Sequence, residues 1–250
     1  MDSFAKLLPD LERVLRAAAE KAIEERCRLQ RNLKSDGSIV TNADVAVEGL
    51  LRHELPHLMH DTAVWGEELG LEEPGRNGLW VVDPIDGTSN FSFGSPLWGI
   101  TVALVQGPQI VLGGIVLPDL HEIYLCAKGS GVTQNGAALA PLPRGPVQPF
   151  ELVSCCDSNA RALGRKVPGK LRCNGAFVID GAFVMCQRLR GMICGGERLY
   201  DAASCILFGQ ELGADIRYAD GRPFDVEKLV NGEKIADRWI IFPADSGFQV

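Results

Sequence analysis

The chain has 250 residues, 46% of them hydrophobic, and a formal net charge of −7. That hydrophobic share supplies a full-sized core for one large α/β domain or two tightly joined halves, and it excludes wholesale disorder. The acidic balance excludes nonspecific nucleic-acid binding, which needs a basic field, but not a small anionic substrate held through a bound cation.

Residues 3–30 carry charges throughout and do not read as a signal peptide. No run approaches the about 18 apolar residues of a membrane span, so a soluble cytoplasmic protein without a membrane partner is expected. Phe4, Leu7, Leu8, Leu11, Val14, Leu15, Ala18 and Ala22 recur at helical spacing opposite a charged face, which predicts an amphipathic helix. Lys34–Ser38 reads as a turn. A second helix starts near Thr41–Asp44 and runs toward Pro56, with Asp44 as a first-turn carboxylate favoured by the helix dipole.

A strand-rich middle follows. Leu79–Val82 is a short apolar strand; Trp98–Val105 and Gln109–Leu117 form a pair; Glu122–Ala127 is another strand, and Asn135-Gly136 is a turn. Four prolines within residues 140–149 mark a short connection between two halves, 1–145 and 146–250, of one compact unit. Beyond it, strands are expected at Glu151–Cys155, Gly191–Cys194, Ile216–Tyr218 and Trp239–Phe242, with helices at Phe177–Arg188 and Asp201–Leu212. The pattern is mixed α/β, with layered sheets and helices. The eight cysteines have neither zinc spacing nor a Cys-x-x-Cys pair and read as reduced core thiols.

The chemistry concentrates at Asp83-Pro84-Ile85-Asp86-Gly87-Thr88. Pro84 fixes its own φ and biases Asp83 toward extended backbone, so the chain leaves a strand and turns with both carboxylates on one rim. Gly87 allows a ligand to approach the backbone, and the Gly87 and Thr88 amides can grip phosphate oxygens. An Asx-turn with two surface aspartates is the bland alternative. Glu67-Glu68 upstream can be an exposed acidic pair, and Asp201 downstream can be a helix N-cap. The three places taken together point to hard oxygen ligands for a divalent cation beside a phosphate. The four histidines build no nucleophile–His–acid set, and there is no Walker-type loop.

With Gly66-Glu67-Glu68, Asp83–Thr88 extended by Ser89-Asn90-Phe91, and Tyr200-Asp201-Ala202-Ala203, the chain resembles the inositol monophosphatase family of metal-dependent, lithium-sensitive phosphatases. Lys34 with Val40-Thr41-Asn42-Ala43-Asp44, and Gly129, Gly131, Asn135 and Gly136, extend the resemblance over roughly residues 5–245; Tyr200 stands where the family has tryptophan. The resemblance implies a layered αβαβα sandwich with two sheets, and a phosphoric monoester hydrolase acting through metal-activated water. It implies two or three Mg²⁺ held by Glu67, Asp83, the Ile85 carbonyl, Asp86 and Asp201. Glu67, Thr88 and Asp86 would be catalytic, Gly87 and Thr88 phosphate-binding, and Asp44 and Glu68 supporting. It also implies a homodimer and lithium sensitivity.

The substrate is then a small phosphorylated alcohol, with inositol monophosphate the leading expectation. The acidic residue that inositol-specific members carry seven positions before the helix-start aspartate falls, without a gap, on Cys194; a shift through Gly195-Gly196 brings Glu197 there instead. Arg172 is a further substrate-contact candidate, with a structural salt bridge as its alternative. Pro96-Leu97-Trp98-Gly99 resembles histidinol-phosphate phosphatases of the same superfamily and makes histidinol phosphate the rival substrate, although Trp98 also reads as a core aromatic. A non-catalytic regulatory or binding protein on the same fold is the reading from another class.

Overall fold

A computed structural model describes residues 4–73, 75–226, 229–230 and 233–248. A 3-10 turn at Ala5–Leu7 leads into α1 (Leu8–Arg26), which buries Leu11, Val14, Leu15, Ala18 and Ala22 as one stripe. Two short strands, β1 (Arg31–Leu33) and β2 (Ile39–Thr41), pair around the expected turn. Thr41 then caps α2 (Asn42–Leu58): its hydroxyl accepts the Ala43 N–H, and Asp44 accepts the Thr41 N–H. The helix carries Pro56 inside its last turn and ends two residues beyond it.

The first large sheet follows. Its strands are β3 (Ala63–Gly66), β4 (Gly70–Leu71), β5 (Leu79–Asp86), β6 (Gly99–Gln106), β7 (Gln109–Leu117), β8 (Glu122–Ala127), β9 (Val132–Gln134) and β10 (Ala137–Ala138), with a one-turn helix, α3 (Thr88–Ser92), after β5. The spatial order is β10-β9-β8-β7-β6-β5-β3-β4. Neighbours are antiparallel except β3 with β5. The remaining chain forms β11 (Leu152–Cys155), α4 (Asp157–Leu163), β12 (Lys170–Arg172), α5 (Phe177–Met185), β13 (Gly191–Cys194), α6 (Leu199–Glu211), β14 (Ala214–Tyr218) and β15 (Trp239–Pro243). Its five strands are ordered β12-β11-β13-β15-β14.

Strand alternation assigns each face a layer. Trp80, Val82, Val102 and Leu104 meet α1 and α2 on one face of the large sheet. Leu79, Val81, Ala103 and Val105 face the other way, into a core shared with α5, α6 and the inner face of the small sheet. Val153, Cys155, Ile193, Ile240 and Phe242, on the outer face of the small sheet, pack against Ala160 and Leu163 of α4. The result is an αβαβα sandwich, in which the inner helices α5 and α6 are covered on both sides and are apolar almost all round.

Two expectations are corrected. The strand at Leu79–Val82 does not end there but runs to Asp86, because β6 continues to pair with it: Asp83 opposes Thr101 and Asp86 opposes Gly99. That stretch spends one more residue on β5 than on β6, a bulge at Pro84. The helix expected over Phe177–Arg188 stops at Met185, before Gln187 takes a φ of +63°.

Adjacent glycines on β7 let both helical layers close. A Cβ on Gly113 would sit 3.3 Å from Ser204 Cα of α6, and one on Gly114 would sit 2.5 Å from Leu15 Cδ1 of α1. Overpacking of this kind costs about 1–3 kcal/mol. Gly114→Ala is expected to lower stability by about that amount in urea unfolding, with an unchanged m-value.

Candidate active site

The site forms where β3, the bulged end of β5 and the N-terminus of α6 converge. Glu67, Asp83, Ile85, Asp86, Gly87, Thr88 and Asp201 line one cleft of about 320 Å³, together with Phe177 and Glu197. One carboxylate oxygen from each of Glu67, Asp83 and Asp201 lies within 4.8 Å of the others.

Each acid is aimed by a specific donor. The Ile85 N–H donates to Asp83 Oδ1 at 3.0 Å, and the Val178 N–H, in the first turn of α5, donates to Asp86 Oδ2. The Arg198 N–H donates to Asp201 Oδ2 at 2.7 Å. Asp201 is therefore the third residue of α6, in a capping box, rather than its N-cap. Asp44 is fully buried; its Oδ2 takes the Thr41 N–H at 2.8 Å, and its Oδ1 lies 3.1 Å from the Thr88 hydroxyl. Its first-turn role and its contact with the cleft thus coexist. Lys34 Nζ donates to Glu67 at 2.8 Å and to Glu68 at 2.6 Å.

The backbone just after Glu67 is held by Glu48, a fully buried residue that the sequence reading missed. Glu48 accepts the N–H of Glu68 at 2.7 Å and that of Leu69 at 3.0 Å, while Arg52 Nε donates to it at 3.0 Å. A side chain at Gly66 would start 2.1 Å from that carboxylate, so the Gly-Glu-Glu element needs glycine for space. Gly87 needs it for conformation: its φ is +83°, and a Cβ there would meet that of Ala176 at 2.7 Å.

The electrostatics are those of a site short of positive charge. Burial, then the neighbouring carboxylates, push Asp83 and Asp201 well above the usual carboxylate range. Burial lifts Asp86 to about 7 against the opposing Val178 N–H. It lifts Glu68 to about 7 as well, although Lys34 pulls the other way. Burial disfavours the Lys34 ammonium, but its bonds to Glu67 and Glu68 win and raise its pKa. An all-oxygen set of mutually repelling acids suits a hard divalent cation.

The substrate-contact candidates separate. Cys194 is 1% exposed, in the central core, and does not reach the cleft. β13 ends there, the chain turns through Gly195 and Gly196, and Glu197 enters the cleft instead. Arg172 is exposed at the end of edge strand β12, where its Nη1 donates to the Leu171 carbonyl at 2.8 Å; it lines neither the cleft nor the pocket beside it. Trp98 is fully buried, edge-on to Phe91 at 4.7 Å, with its indole N–H bonded to Asp119 at 2.7 Å. The adjoining pocket, about 430 Å³, shares Asp86, Phe177 and Glu197 with the cleft and adds Asp180. The sequence reading also missed Asp180; its signal was a lone acid inside the apolar run Phe177–Met185.

Residues 7–240 match the sequence model of the inositol monophosphatase family. The chain is 30% identical to an inositol-1-monophosphatase of Mesorhizobium japonicum over 227 residues, 85% of this chain and 83% of that protein. It is 37% identical to a histidinol-phosphatase of Chlorobaculum parvum over 137 residues, 52% of each. Among solved structures, a staphylococcal inositol monophosphatase complexed with products is similar at a TM-score of 0.84 and 19% identity, covering 98% of this chain and 93% of that one.

In EDTA the protein is expected to lose stability as pH rises. Asp86, Glu68 and Asp180 keep protons in the fold up to about 7. The unfolded chain releases them near about 4, so the native state binds more protons across that window and its stability falls toward neutral pH. Thermal melts from about pH 4.5 to about pH 8 check this, and excess divalent cation should flatten the slope. A flat profile in EDTA would remove the electrostatic account.

Proposed function

We propose that this chain, which belongs to the inositol monophosphatase family and is a phosphoric monoester hydrolase, uses Mg²⁺ to hydrolyse the phosphate ester of a small alcohol. The observation that carries the reading is the meeting of Glu67, Asp83 and Asp201, with ligand oxygens within 4.8 Å of one another, beside the positive-φ turn at Gly87. Glu67, Asp83, Asp86, Asp201 and the Ile85 carbonyl would hold two or three ions. Bound there, Mg²⁺ would polarise the phosphoryl oxygens, acidify water and stabilise the departing alkoxide.

The remaining work belongs to the protein. The Thr88 hydroxyl has two acceptors, Asp44 Oδ1 at 3.1 Å and the Ile85 carbonyl at 2.9 Å. Its own proton is therefore directed into the protein, and its lone pairs accept from the attacking water. Glu67 accepts that water's other proton. The amides of Gly87, the N-cap of α3, and Thr88, its first residue, donate to phosphate oxygens. Water adds to phosphorus, the ester P–O bond breaks, and the alcohol leaves with a proton while inorganic phosphate remains.

Inositol monophosphate is the first substrate to try, supported by the named relatives and by Glu197 in the cleft; histidinol phosphate is the second. A homodimer, inhibition by lithium and a cytoplasmic location complete the reading. No helix among the described residues is long and apolar enough to cross a membrane.

Purified protein is expected to release phosphate from a panel of inositol, histidinol and glycerol phosphates with Mg²⁺ and to stop in EDTA. Asp86→Asn should lower kcat by about 100-fold or more while its melting curve stays cooperative. Undiminished activity in that variant would sink the metal assignment. Light scattering reads the dimer, and a Li⁺ titration against Mg²⁺ reads the inhibition.

A further inference from the structure

Three of the eight cysteines, Cys155, Cys156 and Cys173, gather at one edge of the small sheet. Cys155 ends β11, and Cys173 follows β12 directly. The two strands are parallel, with Ser154 opposite Arg172, so the next residues in register are Cys155 and Cys173. Residues opposite each other on neighbouring strands share a face, with backbones about 4.8 Å apart. That separation falls within the about 4.4–6.8 Å that a disulfide spans between Cα atoms. Both residues are free thiols, coupled by a hydrogen bond that supports the Cys173 thiolate at the expense of Cys155.

The pair divides into an attacking and a resolving thiol. Cys155 is 1% exposed, and burial pushes its pKa up to about 12. Cys173 is exposed; burial raises its pKa too, but the bond from Cys155 pulls it down. The exposed sulfur is therefore the one that ionises and meets a reagent, and the buried one closes the bond. Cys156 is placed differently. Its Sγ lies 3.1 Å from Ser158 Oγ and 3.9 Å from the Gly195 carbonyl, and a bond to its chain neighbour Cys155 would be strained.

The segment that follows Cys173 is the one that packs on the Asp83–Thr88 turn. The Asn174 carbonyl accepts from Asn90 Nδ2 at 2.8 Å. Ala176 closes on Gly87, where a Cβ would come within 2.7 Å of its own. The Val178 N–H anchors Asp86. A bond drawn at residue 173 thus acts through the same segment on a carboxylate of the cleft.

We propose that Cys155 and Cys173 form a redox-modification site, a reversible cross-strand disulfide made by exchange with a low-molecular-weight disulfide, and that closing it slows the hydrolase by displacing residues 173–178. The effect on rate rests on the phosphatase reading above; the bond itself does not. The Cys173 thiolate attacks one sulfur of glutathione disulfide, whose S–S bond breaks, and one glutathione leaves and takes up a proton. Cys155 gives its proton to solvent and attacks Cys173 Sγ, expelling the second glutathione. The two protein thiols lose two electrons, and the glutathione disulfide gains them. Contact between the two thiols offsets the low thiolate fraction of Cys155.

The full chain, reduced and then exchanged into glutathione disulfide, is digested without reductant and mapped by mass spectrometry. The peptides carrying Cys155 and Cys173 should be joined, and dithiothreitol should separate them. In Cys155→Ser, Cys173 should stop as a mixed disulfide with glutathione. Cys173→Ser, at an exposed position, should block both products and serves if the first variant folds poorly. With Mg²⁺, kcat on p-nitrophenyl phosphate should fall about tenfold or more on oxidation, against the about 100-fold that a misplacement of about 1 Å can cost, and recover with dithiothreitol. In Cys173→Ser, oxidised and reduced samples should share one kcat. Both cysteines remaining thiols, glutathione on Cys156 alone, or a joined pair with unchanged kcat would each overturn the proposal. A joined pair in a protein that releases no phosphate in either state would overturn the phosphatase reading and leave the disulfide site standing.

Discussion

The structure is organised around one electrostatic conflict: carboxylates are brought close together in a largely buried place, and their charge is left mostly unneutralised. Asp83, Asp86, Asp201 and Asp44 are each anchored by a main-chain N–H, from Ile85, Val178, Arg198 and Thr41. A main-chain N–H fixes the direction of a carboxylate and stabilises its charge without cancelling it. Lys34 is the ammonium that bonds at the rim, and it bridges Glu67 and Glu68. The assembly remains electrostatically incomplete, which is what a cation-binding site requires.

Holding such a site together requires stiffness underneath it. The acids come from the end of β5, the loop after β3 and the first turn of α6, and each of these elements is clamped. The β5 bulge is paired to β6 on both sides, at Thr101 and Gly99. The loop after β3 is fastened by Glu48, whose carboxylate occupies the space a side chain at Gly66 would need. On α6, Ser204 bonds Thr101 at 2.8 Å and the Val102 carbonyl at 3.0 Å, locking the helix to the strand opposite β5. Buried polar pairs of this kind add specificity of register more than net stability.

What the sequence disclosed follows from how locally each feature is encoded. Long periodic segments were legible: α1, α2, and β7 and β8 with their boundaries. The acids that line the cleft were legible because they sit in compact motifs. Elements such as β1, β12 and α4 were not, since they are three to seven residues long and carry no resolvable period. Asp83–Asp86 read as a turn because proline and glycine normally end strands; a bulge tolerates both, and only the pairing with β6 reveals it. Counting positions without a gap favoured Cys194 over Glu197, because the path of a Gly-Gly turn depends on what it packs against. Trp98 belonged to the core, where the Asp119 carboxylate satisfies its indole N–H.

The two halves of the active site handle charge differently, and this bears on how such a scaffold changes substrate. In the cleft, acids on separate elements share one small volume, and changing any of them disturbs the others through their mutual repulsion. In the adjoining pocket, Asp180 and Glu197 are held by an amide, a backbone N–H and an indole, and their surroundings can vary without touching Asp83 or Asp201. Phe177 stands at the boundary, lining both cavities while the Val178 N–H beside it anchors Asp86. The start of α5 therefore couples the two cavities: a change of side chain at residue 177 alters the walls of both, while the backbone it rides on keeps Asp86 in place.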